Sequence, residues 1–251
     1  MMKRCVATVL IAWASIAALG ALAYTSNFPV AENPISEGNR WMNGRTAGLD
    51  WADVRTDVQT KRGLAFGTQS GGGGYDDSVA ILQGAWRPDQ SASATVHSVN
   101  QKGGSVYEEV EILLRWSLSA HSAKGYEINF RALNSSESYT EIVRWNGGRG
   151  DFTYLAQRRG SAYGIKDGDV VKATVVRNII TSYINGVAVA TASDSTYGSG
   201  NPGMGFFLQG ATGVNRDYGF TTFSASDEGS PPLPPRKNGY PGLPVSGWST
   251  W

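Results

Sequence analysis

Hydrophobic and polar residues alternate in short runs along most of the chain, from about Asn27 to Ser226, and turn signals separate the runs. A period of two residues is typical of β-strands that bury one face, and no helical period is sustained over this stretch. The clearest local signal lies at residues 178–193, NIITSYINGVAVATAS, where two β-rich runs flank Asn185-Gly186. Because Asn-Gly supplies the two positive φ angles of a type I′ turn, this segment predicts a β-hairpin.

The composition agrees with an all-β fold. The chain has 251 residues, of which 41% are hydrophobic and 17% are charged, so it can bury a substantial core. Its 32 glycines, 8 tryptophans and 11 tyrosines fit many turns that join aromatic-rich strands. The run Gly71-Gly72-Gly73-Gly74 predicts a mobile loop. The net charge is +1 and no basic stripe is present, so we expect no nucleic-acid partner.

The N-terminal segment has the form of an export signal. Two basic residues precede an apolar run, and Ala21-Leu22-Ala23 has the small-x-small pattern that a signal peptidase accepts. We expect residues 1–23 to be a signal peptide cleaved before Tyr24, which would make the protein secreted or periplasmic and leave no membrane contact. The alternative is a membrane anchor, because the run approaches the length of a spanning helix. The only cysteine, Cys5, would leave with the signal, so the mature chain would contain no disulfide.

Residues 24–226 are predicted to form a single β domain, and the composition changes after it. Residues 227–251 are crowded with proline, which cannot donate to a sheet ladder, so we interpret them as a tail outside the core. Trp248 and Trp251 in this tail fit either a docking segment or a disordered terminus.

The first candidates for a catalytic or binding role are two carboxylates in YEEVEILLRW, residues 107–116. Alternation along a strand divides this run into an apolar face and a polar face. The apolar face has Val110, Ile112, Leu114 and Trp116, and the polar face has Glu109, Glu111, Leu113 and Arg115. The next run, GYEINFR, places Glu127, Asn129 and Arg131 on its polar face. Both strands are predicted to be half buried.

We predict that these two runs pair as a hairpin in the register that sets Trp116 opposite Tyr126. The same register creates two opposite-charge cross-strand pairs, Arg115 with Glu127 and Glu111 with Arg131. Such pairs contribute about 0.2–1 kcal/mol each.

Glu109 and Glu111 therefore have two interpretations. A glycosidase needs one protonated and one ionised carboxyl group. The predicted arginine neighbours would favour ionisation, which suits a nucleophile and does not suit a general acid. We favour a structural or ligand-rim role for the two carboxylates, with catalysis as the alternative.

The segment GDVVKATVVRNIITSYINGVAVATASDS, followed by GNPGMGFFLQG, resembles the concanavalin A-like lectin and glucanase superfamily in its laminin-G-like form. In that family a strand leads to an N-G or D-G turn, and a glycine-rich segment then starts a late strand. ENPISEGNRW and DYGFTTFSAS resemble the two ends of the module, so the resemblance spans about residues 27–226. It implies a jelly-roll β-sandwich of two antiparallel sheets, with a concave face that commonly binds a glycan.

The resemblance leaves the activity open, because members include lectins, carbohydrate-binding modules, family 16 glucanases and polysaccharide lyases. The glucanase strand has the pattern E-x-D-x-x-E, and here Leu114 stands where its third carboxylate would be. The R-x-E-x-R and Q-x-H strands of alginate lyases are not found either. His97 and His121 fall near predicted turns, and we interpret them as solvated loop residues.

A glycan site also needs an aromatic platform. Trp145 follows Arg144 in EIVRWNGG, and because neighbours on a strand point to opposite faces, Trp145 is either a platform or an edge plug. Tyr183 is the second aromatic candidate, with packing against a neighbouring strand as the alternative. No cofactor is predicted. Asp76-Asp77 and Asp217 resemble loop carboxylates that bind structural calcium in some relatives, but we interpret them as surface turn residues.

The sequence thus predicts an exported β-sandwich that binds a glycan or polysaccharide without catalysis. The alternatives are a polysaccharide-degrading lyase or hydrolase of the same fold and a structural or adhesion module. The candidate ligand-binding residues are Glu109, Glu111, Arg115, Glu127, Asn129, Arg131, Arg144, Trp145 and Tyr183.

Overall fold

A computed structural model describes residues 21–59, 62–75 and 77–227. Regular structure in these residues is almost entirely β-strand, interrupted by two short 3₁₀ helices, Arg45–Ala47 and Ser161–Tyr163. The strands form two antiparallel sheets, which confirms the predicted all-β jelly-roll sandwich. The described ranges include no helix that is long and apolar enough to cross a membrane. Most of the predicted signal peptide and proline-rich tail, and Asp76, lie outside the described residues.

The strands are numbered in chain order. The first sheet has eight of them, and its spatial order is β13 (Val187–Ser193), β12 (Ile179–Ile184), β11 (Val170–Val176), β6 (Gln90–Ser98), β15 (Tyr218–Ser226), β4 (Arg62–Gly67) and β3 (Val54–Gln59), with β1 (Ala23–Ser26) also paired to β15. The second sheet has seven, in the order β10 (Phe152–Arg159), β9 (Tyr139–Gly147), β8 (Ser122–Arg131), β7 (Tyr107–Ser119), β14 (Asn201–Gln209), β5 (Ser78–Leu82) and β2 (Trp41–Asn43).

The main core lies between the sheets and takes alternate residues of the central strands. Its fully buried members on β7 and β8 include Val110, Ile112, Leu114, Tyr126, Ile128 and Phe130. The opposite face of these strands is buried too, so the prediction that they are half buried is wrong. We call this opposite face, which turns away from the eight-stranded sheet, the outer face. A second apolar cluster there includes Trp51, Trp116 and Trp145.

The predicted hairpin is present. Strands β12 and β13 pair in antiparallel fashion, and Asn185 and Gly186 connect them with φ angles of 49° and 82°. Two consecutive positive φ angles are what a type I′ turn requires. The glycine run 71–74 lies outside the named strands as predicted, with positive φ at Gly71, Gly73 and Gly74.

The register between β7 and β8 differs from the prediction by two residues. The observed pairs include Glu109 with Arg131, Glu111 with Asn129, Leu113 with Glu127 and Leu114 with Tyr126. The predicted pairs Arg115–Glu127 and Glu111–Arg131 therefore do not form. A shift of two residues does not by itself move a side chain to the other face, which is why the alternation pattern could not exclude it.

A β-bulge between Leu114 and Ser117 changes the face of the residue that follows it. Arg115 takes a φ of 52° there, in the left-handed region. Trp116 is consequently part of the outer-face cluster instead of the core, and its indole Nε1 donates to the carbonyl of Tyr126 at 2.8 Å. Gly125 makes room for this ring, because a Cβ at that position would collide with the indole.

Candidate functional site

The outer face of the seven-stranded sheet contains a cavity of about 220 Å³, which we call the carboxylate cavity. Five of its lining residues are carboxylates that are each less than a tenth exposed: Asp77, Glu109, Glu111, Glu127 and Glu141. Its aromatic lining consists of Tyr75, Tyr107, Tyr139, Trp145, Phe152, Tyr154 and Phe207. Among the residues that the structure describes, the lining has one basic residue, Arg159.

The strand registers bring three polar side chains into one row across the sheet. Glu111 of β7 lies opposite Asn129 of β8, and Asn129 lies opposite Glu141 of β9. On the other side of β7, Glu111 is paired with Gly205 of β14. A Cβ at Gly205 would collide with Oε2 of Glu111, so this glycine makes room for the carboxylate.

Most of the carboxylates have identified donors. The Tyr139 hydroxyl donates to Oε1 of Glu109, and Nδ2 of Asn129 donates to its Oε2 at 2.9 Å. The indole Nε1 of Trp145 donates to Oε2 of Glu127 at 2.6 Å. These contacts fix the orientation of the Glu109 and Glu127 carboxylates in the cavity wall.

Glu141 differs from the others because it has a cationic partner. Its Oε1 accepts from Nε2 of Gln157 at 2.8 Å and from Nη2 of Arg159 at 3.0 Å. The Arg159 side chain is largely exposed, so this ion pair lies at the rim of the cavity.

Glu111 is the exception among the five. Both of its carboxylate oxygens are buried and make no hydrogen bond with the described residues, and the same is true of Oδ1 of Asn129. In addition, Asp77, Glu111 and Glu127 each offer an oxygen that lies within 4.8 Å of those of the other two. The cavity wall therefore presents unsatisfied acceptors at its most buried point.

Burial raises the pKa of Glu109 to about 7, although the Tyr139 hydroxyl opposes the shift. Burial, followed by repulsion from Glu127 and Asp77, raises the pKa of Glu111 well above its usual range. Burial also raises the pKa of Glu127 and that of Glu141. The expectation that arginine neighbours would keep Glu109 and Glu111 ionised is therefore wrong.

Neither Arg115 nor Arg131 lines the carboxylate cavity. The bulge turns Arg115 toward the opposite end of the strand, where Nε donates to the carbonyl of Pro88 at 2.7 Å. Arg131 donates to the carbonyls of Glu137, Gly104 and Val106 at 2.7–3.1 Å, and its guanidinium lies 4.6 Å from the centroid of the Tyr107 ring.

The other candidates from the sequence also divide into residues that line the cavity and residues that lie elsewhere. Trp145 lies on the cavity wall, is 2% exposed, and packs against Trp51 with ring centroids 4.5 Å apart. Arg144 points to the other face, where Nη1 forms an ion pair with Asp194 at 2.6 Å. Tyr183 belongs to β12 of the eight-stranded sheet, beside Lys172. The structure thus brings together Glu109, Glu111, Glu127, Asn129 and Trp145, and places Arg115, Arg131, Arg144 and Tyr183 outside the cavity lining.

Three remaining expectations concern residues outside the candidate set. His121 lies in a turn as predicted, but His97 is part of β6, where Nδ1 contacts Asp167 at 3.0 Å. Asp217 forms an ion pair with Lys102 at 3.1 Å. Asp77, in contrast, is buried in the cavity wall, so its interpretation as a surface turn residue is wrong.

Sequence reasoning missed Tyr139 and Glu141 as cavity residues. A usable signal was present, because they alternate with Trp145 along β9 and so share its face. Tyr75 and Phe207 could not have been found in this way, because the fold brings them to the cavity from a loop and from β14.

No family model and no curated protein matches this sequence. Solved structures do match the fold. The metal-free Emp46p carbohydrate recognition domain aligns with a TM-score of 0.50 and 11% identity, over 81% of this chain and 94% of that one. Carbohydrate binding module CBM66 from Bacillus subtilis aligns at 0.47 and 16%, over 70% and 95%. A glycoside hydrolase family 16 endo-glucanase from Bacteroides ovatus aligns at 0.47 and 12%, over 81% and 97%.

At these identities the similarity concerns the fold alone. The chain has the concanavalin A-like jelly-roll fold, as its sequence resemblance implied. What this particular chain does must be argued from its own cavity.

Proposed function

We propose that this protein binds a glycan in the carboxylate cavity, and that binding is its function without catalysis. The observation that carries the proposal is the combination of aromatic rings with buried, unsatisfied oxygen acceptors in one cavity of the outer face. Small-molecule sites typically combine apolar walls with a few well-placed polar groups. The description of the Emp46p domain as a carbohydrate recognition domain is consistent with this proposal.

The two kinds of lining residue match the two sides of a sugar ring. A pyranose presents C–H groups on its faces, which pack on aromatic rings such as those of Tyr75 and Phe152. Its hydroxyl groups donate hydrogen bonds, for which the oxygens of Glu111 and Asn129 are available acceptors. With five carboxylates and one arginine in the lining, the cavity favours a neutral glycan over one that bears carboxylate or sulfate groups.

The test is a glycan array probed with the protein and with two tyrosine variants. Tyr75 is 46% exposed and lines the cavity, so Tyr75→Ala should leave the fold intact. We expect it to weaken binding of the best array ligand about tenfold, which corresponds to about 1.4 kcal/mol. Tyr183→Ala removes a tyrosine from the other sheet and should leave the affinity unchanged. Absence of binding to every glycan, or equal loss in both variants, would contradict the proposal.

Glycoside hydrolysis is a second candidate function. The presence of both Glu109 and Glu141 in the lining of one cavity favours it. The two carboxylates have different surroundings, because Glu141 is bound to a guanidinium whereas Glu109 is bound by a hydroxyl and an amide. Two carboxyl groups in unlike surroundings are what hydrolysis of a glycosidic bond needs. If the protein shortens any polysaccharide that it binds, and Glu109→Gln stops the shortening, the protein is a hydrolase and our choice of binding without catalysis is wrong.

Export remains part of the proposal. It is supported by the apolar N-terminal run and by Ala21-Leu22-Ala23, which form the pattern of a cleavable signal. A secreted or periplasmic protein would meet polysaccharides outside the cytoplasm, where a glycan-binding module has its ligands.

A further inference from the structure

We propose that Asp77, Glu111 and Glu127 bind one Ca²⁺ ion at the wall of the carboxylate cavity, with Asn129 as an additional oxygen ligand. The site includes Glu111 and Asn129, which the proposed function offers to sugar hydroxyl groups, so an ion bound there leaves the aromatic rings and the other carboxylates of the lining to contact the glycan. The calcium site is tested without any glycan, so each proposal can fail without the other. The ligands come from three parts of the outer face: the residue before β5, strand β7 and strand β8.

The spacing of the three carboxylates fits one ion. Oxygen ligands lie 2.3–2.6 Å from calcium, so two ligands of the same ion are at most about 5 Å apart. One oxygen each from Asp77, Glu111 and Glu127 lies within 4.8 Å of the other two. A single ion among them can therefore contact all three.

The second observation is a set of buried acceptors that have no donor. Glu111 is 1% exposed, and neither of its carboxylate oxygens accepts a hydrogen bond from the described residues. Asn129 is 6% exposed, lies opposite Glu111, and its Oδ1 is also without a donor. Leaving a buried acceptor unsatisfied is destabilising, and more so when the group is charged. A cation satisfies all of these oxygens at once, because it needs acceptors only.

The charges of the three carboxylates also favour a bound cation. Three carboxylates that share one buried space repel each other, and neither Arg115 nor Arg131 reaches them. Arg159, the basic residue of the lining, is bound to Glu141 at the rim. A divalent cation would bring positive charge next to Glu111, whose carboxylate oxygens accept no hydrogen bond from the described residues.

The donor chemistry selects calcium among the common cations. All of the ligands are carboxylate or amide oxygens, which hard cations prefer, and no described His or Cys belongs to the group. Calcium accepts a flexible set of six to eight oxygens, including bidentate carboxylates. Magnesium demands a compact octahedron with ligands at about 2.0–2.1 Å and keeps several waters.

The experiment measures calcium binding by the full chain, without any glycan. Protein is freed of metal with a chelator, and calcium is then titrated by calorimetry and by thermal melting. We expect calcium to raise the melting temperature of the parent protein. Glu111→Gln keeps the shape but removes the charge, and we expect it to lower calcium affinity by about tenfold or more. Glu137→Gln, which changes a half-exposed carboxylate outside the cavity lining, is the matched control and should bind as the parent does.

A second variant protects the test against a folding defect in Glu111→Gln. Gly205→Ala keeps every proposed ligand, but its Cβ would displace the Glu111 carboxylate, so calcium affinity should fall here as well. Undiminished calcium binding in both variants would place the ion elsewhere and overturn the site. A parent protein that binds no calcium, or that binds magnesium more tightly, would overturn the assignment of the ion. Because no glycan is present, none of these outcomes depends on whether the protein binds a sugar.

Discussion

At the scale of single residues, Arg115 shows how a buried cation can serve the backbone instead of a ligand. It is 3% exposed and has a left-handed φ of 52°. Its guanidinium donates to three carbonyl oxygens at 2.7–2.8 Å, those of Pro88, Tyr197 and Arg177. Since these carbonyls belong to three separate loops, Arg115 connects the loops to the bulge in β7.

We predict that Arg115→Lys is destabilising by about 1.5–3 kcal/mol, because one ammonium group cannot reproduce the fork of guanidinium donors and leaves buried carbonyls unsatisfied. Urea unfolding at constant pH measures the difference. Arg177→Lys is the control, because the Arg177 residue is exposed and contributes its carbonyl to this contact. Equal stability of parent and Arg115→Lys would show that the fork is dispensable.

The bulge at Arg115 is also where the interpretation of the sequence fails. Alternation places Glu109, Glu111 and Leu114 on their observed faces, because an uninterrupted strand keeps a period of two. It fails at Trp116, because nothing in the sequence predicts that an arginine adopts the left-handed conformation of a bulge. The raised pKa of Glu109 could not be predicted from the sequence either, because it follows from burial of the outer face by residues distant in sequence.

At the scale of strands, the sequence predicts the sheet face on which a residue lies better than it predicts the residue opposite it on the neighbouring strand. The row formed by Glu111, Asn129 and Glu141 exists only because three strands pair in one particular register. A shift of two residues would keep each of them on the outer face but separate them along the sheet. The sequence could therefore identify Glu111 and Asn129 as candidates, whereas the acceptors that they present together required the structure.

The β12–β13 hairpin is the element that the sequence predicts best, and it allows a clean test of turn strain. Gly186 has a φ of 82° and open space where a Cβ would lie. Gly186→Val should therefore cost more than about 1 kcal/mol through backbone strain alone, because a β-branched residue is disfavoured at positive φ. Gly148→Val is the control, since Gly148 has equally open surroundings without a positive φ. Similar melting temperatures for both variants would refute this explanation.

At the scale of the whole molecule, the sandwich joins the two ends of its described chain. Strand β1 pairs with β15, so Tyr24, Thr25 and Ser26 lie opposite Ala225, Ser224 and Phe223. Tyr24 also contributes to the core, where its ring lies 5.4 Å from that of Trp41 and its hydroxyl accepts from the Trp41 indole at 2.8 Å. The first strand is therefore part of the folded domain.

The pairing of β1 with β15 allows the effect of signal-peptide cleavage on the stability of the domain to be predicted. Cleavage before Tyr24 would remove Leu22, whose amide donates to Oδ1 of Asp227 at 2.6 Å and whose carbonyl accepts from the Asp227 amide at 3.0 Å. It would also remove Ala23, which has one ladder pair with Ser226. Three ladder pairs and the buried Tyr24 ring would remain. We therefore expect a chain that starts at Tyr24 to melt at nearly the same temperature as one that starts at Ala21.

A chain that starts at Asn27 should be less stable by about 3–5 kcal/mol, because it loses a buried aromatic side chain together with the rest of β1. If all three chains melted together, β1 would contribute nothing to the domain. Mass spectrometry of protein from the producing cell tests the cleavage itself, for which we expect an N-terminus near Tyr24. An intact Met1 in the membrane fraction would instead identify the apolar run as an anchor, and it would leave the stability comparison unaffected, because the three chains differ only in how much of β1 they retain.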